Sequence, residues 1–156
     1  MTIALNIHGT GLVLDGAGIL LRGPSGAGKS ILALALLERF ETRGLDARLV
    51  GDDRIDIVDD GTGLSMVAPK SLAGLIELRG RGIVQRPHAQ SARLTLIVDL
   101  VPDLIRMVEE DQLVTELAGY QIARAPVPSA AQISLGHQEL LVLEALRASA
   151  KVPLAT

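Results

Sequence analysis

The feature that most constrains this chain is the octapeptide Gly23-Pro24-Ser25-Gly26-Ala27-Gly28-Lys29-Ser30. It satisfies every fixed position of the pattern G-x-x-x-x-G-K-[ST]. Glycines at these places let the backbone turn tightly enough to aim successive N–H groups at a polyphosphate. Lys29 offers a point charge to the terminal phosphates, and the Ser30 hydroxyl is of the type that ligates a bridging Mg²⁺. The flanks agree. Ile19-Leu20-Leu21 reads as a short buried strand, and Ile31 to Phe40 reads as a helix whose positive N-terminal end faces the anion. The bland alternative is a glycine-rich turn between a strand and a helix. The complete pattern with both flanks favours nucleotide binding.

Composition narrows the rest. A chain of 156 residues suits a single domain, here 1–156, with a real core. At 48% hydrophobic residues it is not a disordered chain, and with 1% aromatics (Phe40 and Tyr120) that core is aliphatic. So few aromatics, a net charge of −3 and no basic run argue against a nucleic-acid partner. The absence of cysteine removes disulfides and thiolate metal sites and fits a reducing compartment. The N-terminus lacks a basic, apolar leader, and no apolar run reaches the ~20 residues of a membrane span, so a cytoplasmic location without membrane contact is expected.

Ahead of the loop, Ile3 to Ile7, Leu12 to Leu14 and Ile19 to Leu21 read as strands, with Asp15-Gly16 as a hairpin signal. Turns this short join antiparallel strands, so the sheet is expected to be mixed, α/β but without the usual parallel opening. The helix should run from Lys29 to Thr42 and stop at Gly44. Arg48 to Val50 reads as a strand ending at Gly51-Asp52-Asp53, and Ile55 to Val58 with Leu64 to Val67 as a hairpin. Leu72, Leu75 and Ile76 suit a helical turn, followed by a mobile loop at Glu77 to Gly82 and another at Gln85 to Ser91. Arg93 to Leu100 is a strand, Pro102 to Asp111 an irregular connection with a helical turn, and Val114 to Leu117 and Tyr120 to Ala123 two short strands. Pro126 and Pro128 punctuate before an amphipathic helix over Gln138 to Ser149, opening near Ser134, and a tail from Lys151 to Thr156.

Asp52-Asp53 closes an apolar strand, where an acidic side chain can reach a nucleotide-bound metal or an attacking hydroxyl. Neighbours on a strand point to opposite faces, so one of the two is expected to face the phosphates unless the strand end or a bulge intervenes. A solvated turn is the alternative for this pair. His8 lies near the strands that feed the loop; His88 and His137 read as structural. Glu77 with Arg79 and Arg81 is either a charged surface loop or a metal ligand with phosphate clamps.

Four segments taken together resemble the catalytic domain of HPr kinase/phosphorylase: His8-Gly9, the loop Gly23 to Ser30, Leu49 to Arg54, and Ile76 to Ile83. Their order and spacing match over most of residues 5–127. The family transfers phosphate from ATP to a serine of HPr, the phosphocarrier of the sugar phosphotransferase system. The resemblance implies a fold akin to phosphoenolpyruvate carboxykinase, with ATP and Mg²⁺ as cofactors and an HPr-like protein as partner. It implies that Lys29 holds the phosphates, that Ser30 and Glu77 bind Mg²⁺, and that His8 is an active-site residue. Asp53 would be the general base, with Asp52 its close alternative, and Arg106 falls where the family has a catalytic arginine. A homo-oligomer, a hexamer in the fuller family, is also implied.

The family's N-terminal domain is not found here, as in the short forms of alphaproteobacteria, and the region after Gly82-Ile83 is shorter and lacks the family's glycine-rich flexible loop. Where the family has a P-V-R-P-G-R-N-like stretch linked to dephosphorylation, this chain has Ala125 to Gln132, without its arginines or glycine. Kinase activity with weak or absent phosphorylase activity is therefore expected. The alternatives are a nucleotide-dependent regulatory module without phosphotransfer, or a small-molecule kinase on the same scaffold.

Overall fold

Apolar runs dominate the strands, and the pleat divides each run between two cores. The computed structural model describes residues 2–150; the tail expected over 151–156 lies outside them. β1 (Thr2–Leu14) and β2 (Ala17–Arg22) precede α1 (Lys29–Thr42), and β3 (Ala47–Gly51), β4 (Arg54–Asp59) and β5 (Leu64–Val67) follow. A 3₁₀ turn at Lys70–Leu72 leads to β6 (Leu75–Leu78), β7 (Gly82–Gln85) and β8 (Ser91–Val101). A second, at Glu110–Leu113, leads to β9 (Val114–Leu117), β10 (Tyr120–Pro128) and α2 (Leu135–Ala150). Gly44 takes a positive φ of 74° just after α1, as its C-terminal position requires.

The sheet is mixed. β1 is antiparallel to β2, β3 and β4, whereas β8 runs parallel to both β2 and β10. β1 and β8 each serve two sheets. The first half of β1 pairs with β4 and the second with β2 and β3. β8 starts antiparallel to β5 and continues parallel to β2 and β10. Leu12, Leu14, Ile19, Leu21, Leu96 and Val98 face α1 and α2. The alternate residues Val13, Leu20 and Ile97, with Leu94 beyond the register shift between β2 and β8, meet Ile55, Ile57 and Met66 in a second core.

Three expectations are corrected. Ile3 to Ile7 and Leu12 to Leu14 form one strand, because Gly9 and Gly11 mark close packing and not a turn. A Cβ on Gly9 would lie 2.6 Å from the Leu21 carbonyl, and one on Gly11 would lie 3.2–3.3 Å from Ile55, Met66 and Val50. Leu75 and Ile76 are strand residues, and the expected loop from Glu77 to Gly82 is a hairpin of β6 and β7 pinned by Ile76, which is buried against the α1 side. Pro126 and Pro128 lie within β10. Pairing with β9 ends at Ala123, and prolines are tolerated on such an edge.

At the site end of the second core Asp99 on β8 accepts from Arg22 at 2.7 and 2.9 Å and from Arg124 at 2.6 Å. Burial pushes the Asp99 carboxyl up, but the bonds from the two arginines outweigh it and hold it below the ordinary range. Replacing Asp99 with Asn is expected to cost about 2–4 kcal/mol in urea unfolding at pH 7, since it leaves two half-buried guanidinium groups uncompensated. A depressed carboxyl pKa means that the unfolded chain binds more protons, so this contribution is complete above the ordinary value of 3.8 and is lost as pH falls through the folded value. The acid limb of stability should therefore be steeper in the wild type than in D99N.

Candidate functional site

The Gly23–Ser30 loop bridges β2 and α1, and Gly28 sits at the start of α1 with φ 101°. That backbone is one a side chain rarely adopts, and a Cβ there would stand 3.2 Å from Ala130. The loop is braced from below: Ala27 N–H donates to Pro24 O at 3.1 Å, and Ala130 N–H donates to Ala27 O at 3.3 Å. Pro128 is held in turn by the buried Gln138, whose Nε2 donates to its carbonyl at 2.9 Å. Lys29 is 8% exposed and donates to Gly23 O at 2.6 Å and Pro24 O at 3.1 Å. Burial lowers the Lys29 pKa, and the charges of Asp52 and Asp53 oppose that shift.

Facing the loop, β3 passes into β4 through Asp52 and Asp53, and both strands run antiparallel to β1. Continuing the register from Gly11↔Gly51 to His8↔Arg54 sets Thr10 opposite Asp52 and Gly9 opposite Asp53. Thr10 Oγ1 donates to Asp52 Oδ1 at 2.8 Å. Ser30 Oγ donates to the two oxygens of the same carboxylate at 3.2 and 3.3 Å. Strand alternation would turn Asp53 away. Its φ of 77° breaks the alternation, and its side chain meets His8, Nε2 to Oδ1, at 2.6 Å. The expected division of the two aspartates between faces therefore does not occur.

One cavity of about 370 Å³ gathers His8, Ser25, Gly26, Gly28, Lys29, Ser30, Asp52, Asp53, Glu77 and Arg79 among its lining residues. Glu77 and Arg79 arrive on the β6–β7 hairpin. Gly23, Pro24 and Ala27 shape the loop without lining the cavity. Arg106 does not line it; it is exposed on the connection after β8. His88 and His137 also lie outside. The oxygen donors of Ser30, Asp52 and Glu77 are of the hard type that Mg²⁺ takes, and Mg²⁺ characteristically uses few protein ligands. Among the described residues no group of three or more His, Asp or Glu forms a metal cage.

Sequence reasoning missed Thr10 and Gln138. Each carried a readable sign: a polar residue in phase with buried apolar neighbours, Leu12 and Leu14 for Thr10 and Val142 for Gln138.

A family described as HPr Serine kinase C-terminal domain matches residues 1–152. The chain belongs to this family. A curated relative, HPr kinase/phosphorylase of Enterococcus faecalis, is 31% identical over 92% of this chain and 47% of its own length. The protein of that name from Pediococcus pentosaceus is 44% identical over 51% of this chain and 24% of its own. The chain thus spans about half or less of the curated relatives it matches. Among solved structures, the Hpr(Ser) kinase/phosphatase from Coxiella burnetii superposes with a TM-score of 0.73 at 25% identity, covering 92% of this chain and 95% of that one. Family membership and the mixed α/β fold therefore agree with the resemblance drawn from four short segments.

The backbone at Asp53 generates a stability test. Asn accepts a positive φ, so Asp53→Asn should leave the thermal midpoint nearly unchanged. Asp53→Val should cost about 1–2 kcal/mol, because a β-branched residue is strained there. Scanning calorimetry of both variants checks this, and equal midpoints would show that Asp53 is not under backbone constraint.

Proposed function

We propose that this chain is an ATP-dependent protein-serine kinase acting on an HPr-like phosphocarrier. The observation that carries the reading is the convergence of Lys29, Ser30, Asp52, the Asp53–His8 pair and Glu77 on one cavity above a helix N-terminus. In this reading loop N–H groups and Lys29 hold the β- and γ-phosphates of ATP. Ser30 and Glu77, with Asp52 beside Ser30, would hold Mg²⁺, which would supply neutralisation of the phosphate charge. The acceptor serine Oγ forms its bond to the γ-phosphorus as the bond to the ADP oxygen breaks. Asp53 takes the hydroxyl proton. Asp52 already accepts from two hydroxyls, whereas Asp53 has 70% of its side chain exposed and a single side-chain partner, His8, among the described residues; this favours Asp53 as the base. With the proton on Nε2, His8 orients that carboxylate. Arg106 acts in this reading only if its connection brings it to the phosphates.

The segment after β10 supports weak phosphorylase activity. Ala130 stands against the loop with its N–H on the Ala27 carbonyl, within the stretch Ala125 to Gln132 that lacks the arginines and glycine of the family's stretch. The antiparallel path of β1 and β2 into the loop supports kinship with phosphoenolpyruvate carboxykinase. A single domain, a homo-oligomer and a cytoplasmic location complete the proposal; among the described residues no helix is long and apolar enough to cross a membrane.

Labelled Mg-ATP with HPr and its serine-to-alanine variant tests the reading: label should appear on the wild-type acceptor alone. Lys29→Met should lower transfer by about 10²–10³ or more, as loss of a transition-state charge partner does. Asp53→Asn should remove transfer while leaving nucleotide affinity largely intact, and normal transfer by D53N would overturn the base assignment. Efficient phosphate-dependent release of pyrophosphate from serine-phosphorylated HPr would overturn the phosphorylase assignment.

A further inference from the structure

We infer that Thr10 is a positioning residue: it locks the Asp52 carboxylate in the orientation that lets Asp52 and Ser30 serve one divalent cation. This rests on the nucleotide-binding reading above. Thr10 is fully buried and does not line the cavity, so it acts through Asp52.

The two hydroxyls on Asp52 are not equivalent. Thr10 donates at 2.8 Å to Oδ1 alone, whereas Ser30 straddles both oxygens at 3.2 and 3.3 Å. The Ser30 bond is long, bifurcated and on a residue that opens to the cavity. A hydroxyl ligates a cation through a lone pair and can still donate its proton, so Ser30 would offer Asp52 at most this weak, shared bond. The carboxylate torsion of Asp is broad, and the firm restraint against its rotation is the short Thr10 bond. Thr10 suits the task because its χ1 is stiff and its hydroxyl is sealed from water, so the bond has no solvent competitor. The backbone adds a second tie one residue on, where Gly9 N–H donates to Asp53 O at 3.0 Å. β1 thus holds Asp52 through the Thr10 side chain and Asp53 through the His8 side chain and the Gly9 N–H.

A purely structural tie between β1 and the 52–53 link would affect stability and nothing else. The test compares Thr10→Val, which keeps the shape and removes the donor, with Thr10→Ser, which keeps the donor. Mn²⁺ binding to the full chain with ADP, followed by electron paramagnetic resonance, is read beside ADP affinity without cation and the thermal midpoint. Removing an outer partner of a metal ligand characteristically weakens metal binding 10–100-fold, so T10V should show a loss in that range. Its cation-free ADP affinity should stay within about twofold, and T10S should recover most of the wild-type Mn²⁺ affinity. Thr10→Ala gives the same readout if Val is not accommodated. Wild-type Mn²⁺ affinity in T10V and T10A, or a loss in T10S as large as in T10V, would overturn the inference. Wild-type protein that binds neither ADP nor Mn²⁺ with ADP would overturn the nucleotide-binding reading itself, and this inference with it.

Discussion

The change of partner along β1 is the constraint on which the candidate site depends. Up to His8 the strand pairs with β4; from Gly9 it pairs with β2, and from Gly11 with β3 as well. The glycine-rich loop must leave from β2, and the acidic pair must lie between β3 and β4. Both therefore meet at the point where β1 is handed over. Gly9 is needed there because no Cβ fits against the Leu21 carbonyl, and its N–H fixes Asp53 O. The register shift between Gly11 and Leu12 sits just beside this point, as bulges next to functional sites do.

Buried polarity converges on the same place. Among the described residues the buried polar or charged side chains are Thr10, Lys29 and Gln138. Each holds one element against the loop or its acidic partner: Asp52, the carbonyls of Gly23 and Pro24, and the carbonyl of Pro128. A buried polar group without a partner is costly, so each such contact fixes geometry more firmly than an exposed one would. Asp53 and His8 show the opposite regime, a short bond in an exposed setting. The site is rigid where the loop and Asp52 meet and open where Asp53 faces the cavity.

What was legible in the sequence was what local chemistry specifies. The octapeptide, α1 and Gly44 carry their signals within a few residues, and the structure has them at the expected bounds. The four family segments pointed to His8, Asp52, Asp53 and Glu77, and the fold brings these into one cavity with Lys29 and Ser30. The failures share a cause, which is contact between residues distant in sequence. Gly9 and Gly11 look like a turn until β2 and β4 are known to crowd them, and Leu75-Ile76 looks helical until Ile76 is seen buried near α1. Arg22, Asp99 and Arg124 lie far apart in the chain and meet because β2, β8 and β10 are adjacent and parallel. The shared orientation of Asp52 and Asp53 depends on one backbone angle that no side-chain pattern encodes.

The scarcity of aromatic residues constrains how such a cavity can hold a nucleotide. Phe40 is 2% exposed in the core under α1, and Tyr120 donates its hydroxyl to Asp59 at 2.7 Å. Neither lines the cavity, so a nucleobase finds no stacking platform there. In the proposed reading, binding would come from the other end of the ligand, through loop N–H groups, Lys29 and a cation on oxygen donors. Burial makes Lys29 easier to deprotonate, and the two aspartates counter this by favouring its charged form. The acidic pair thus serves the loop electrostatically as well as lining its far wall. Asp52 is held by the hydroxyls of Thr10 and Ser30 and Asp53 by the short bond to His8, so both carboxylates keep their places near Lys29 while Asp53 is the more exposed of the two.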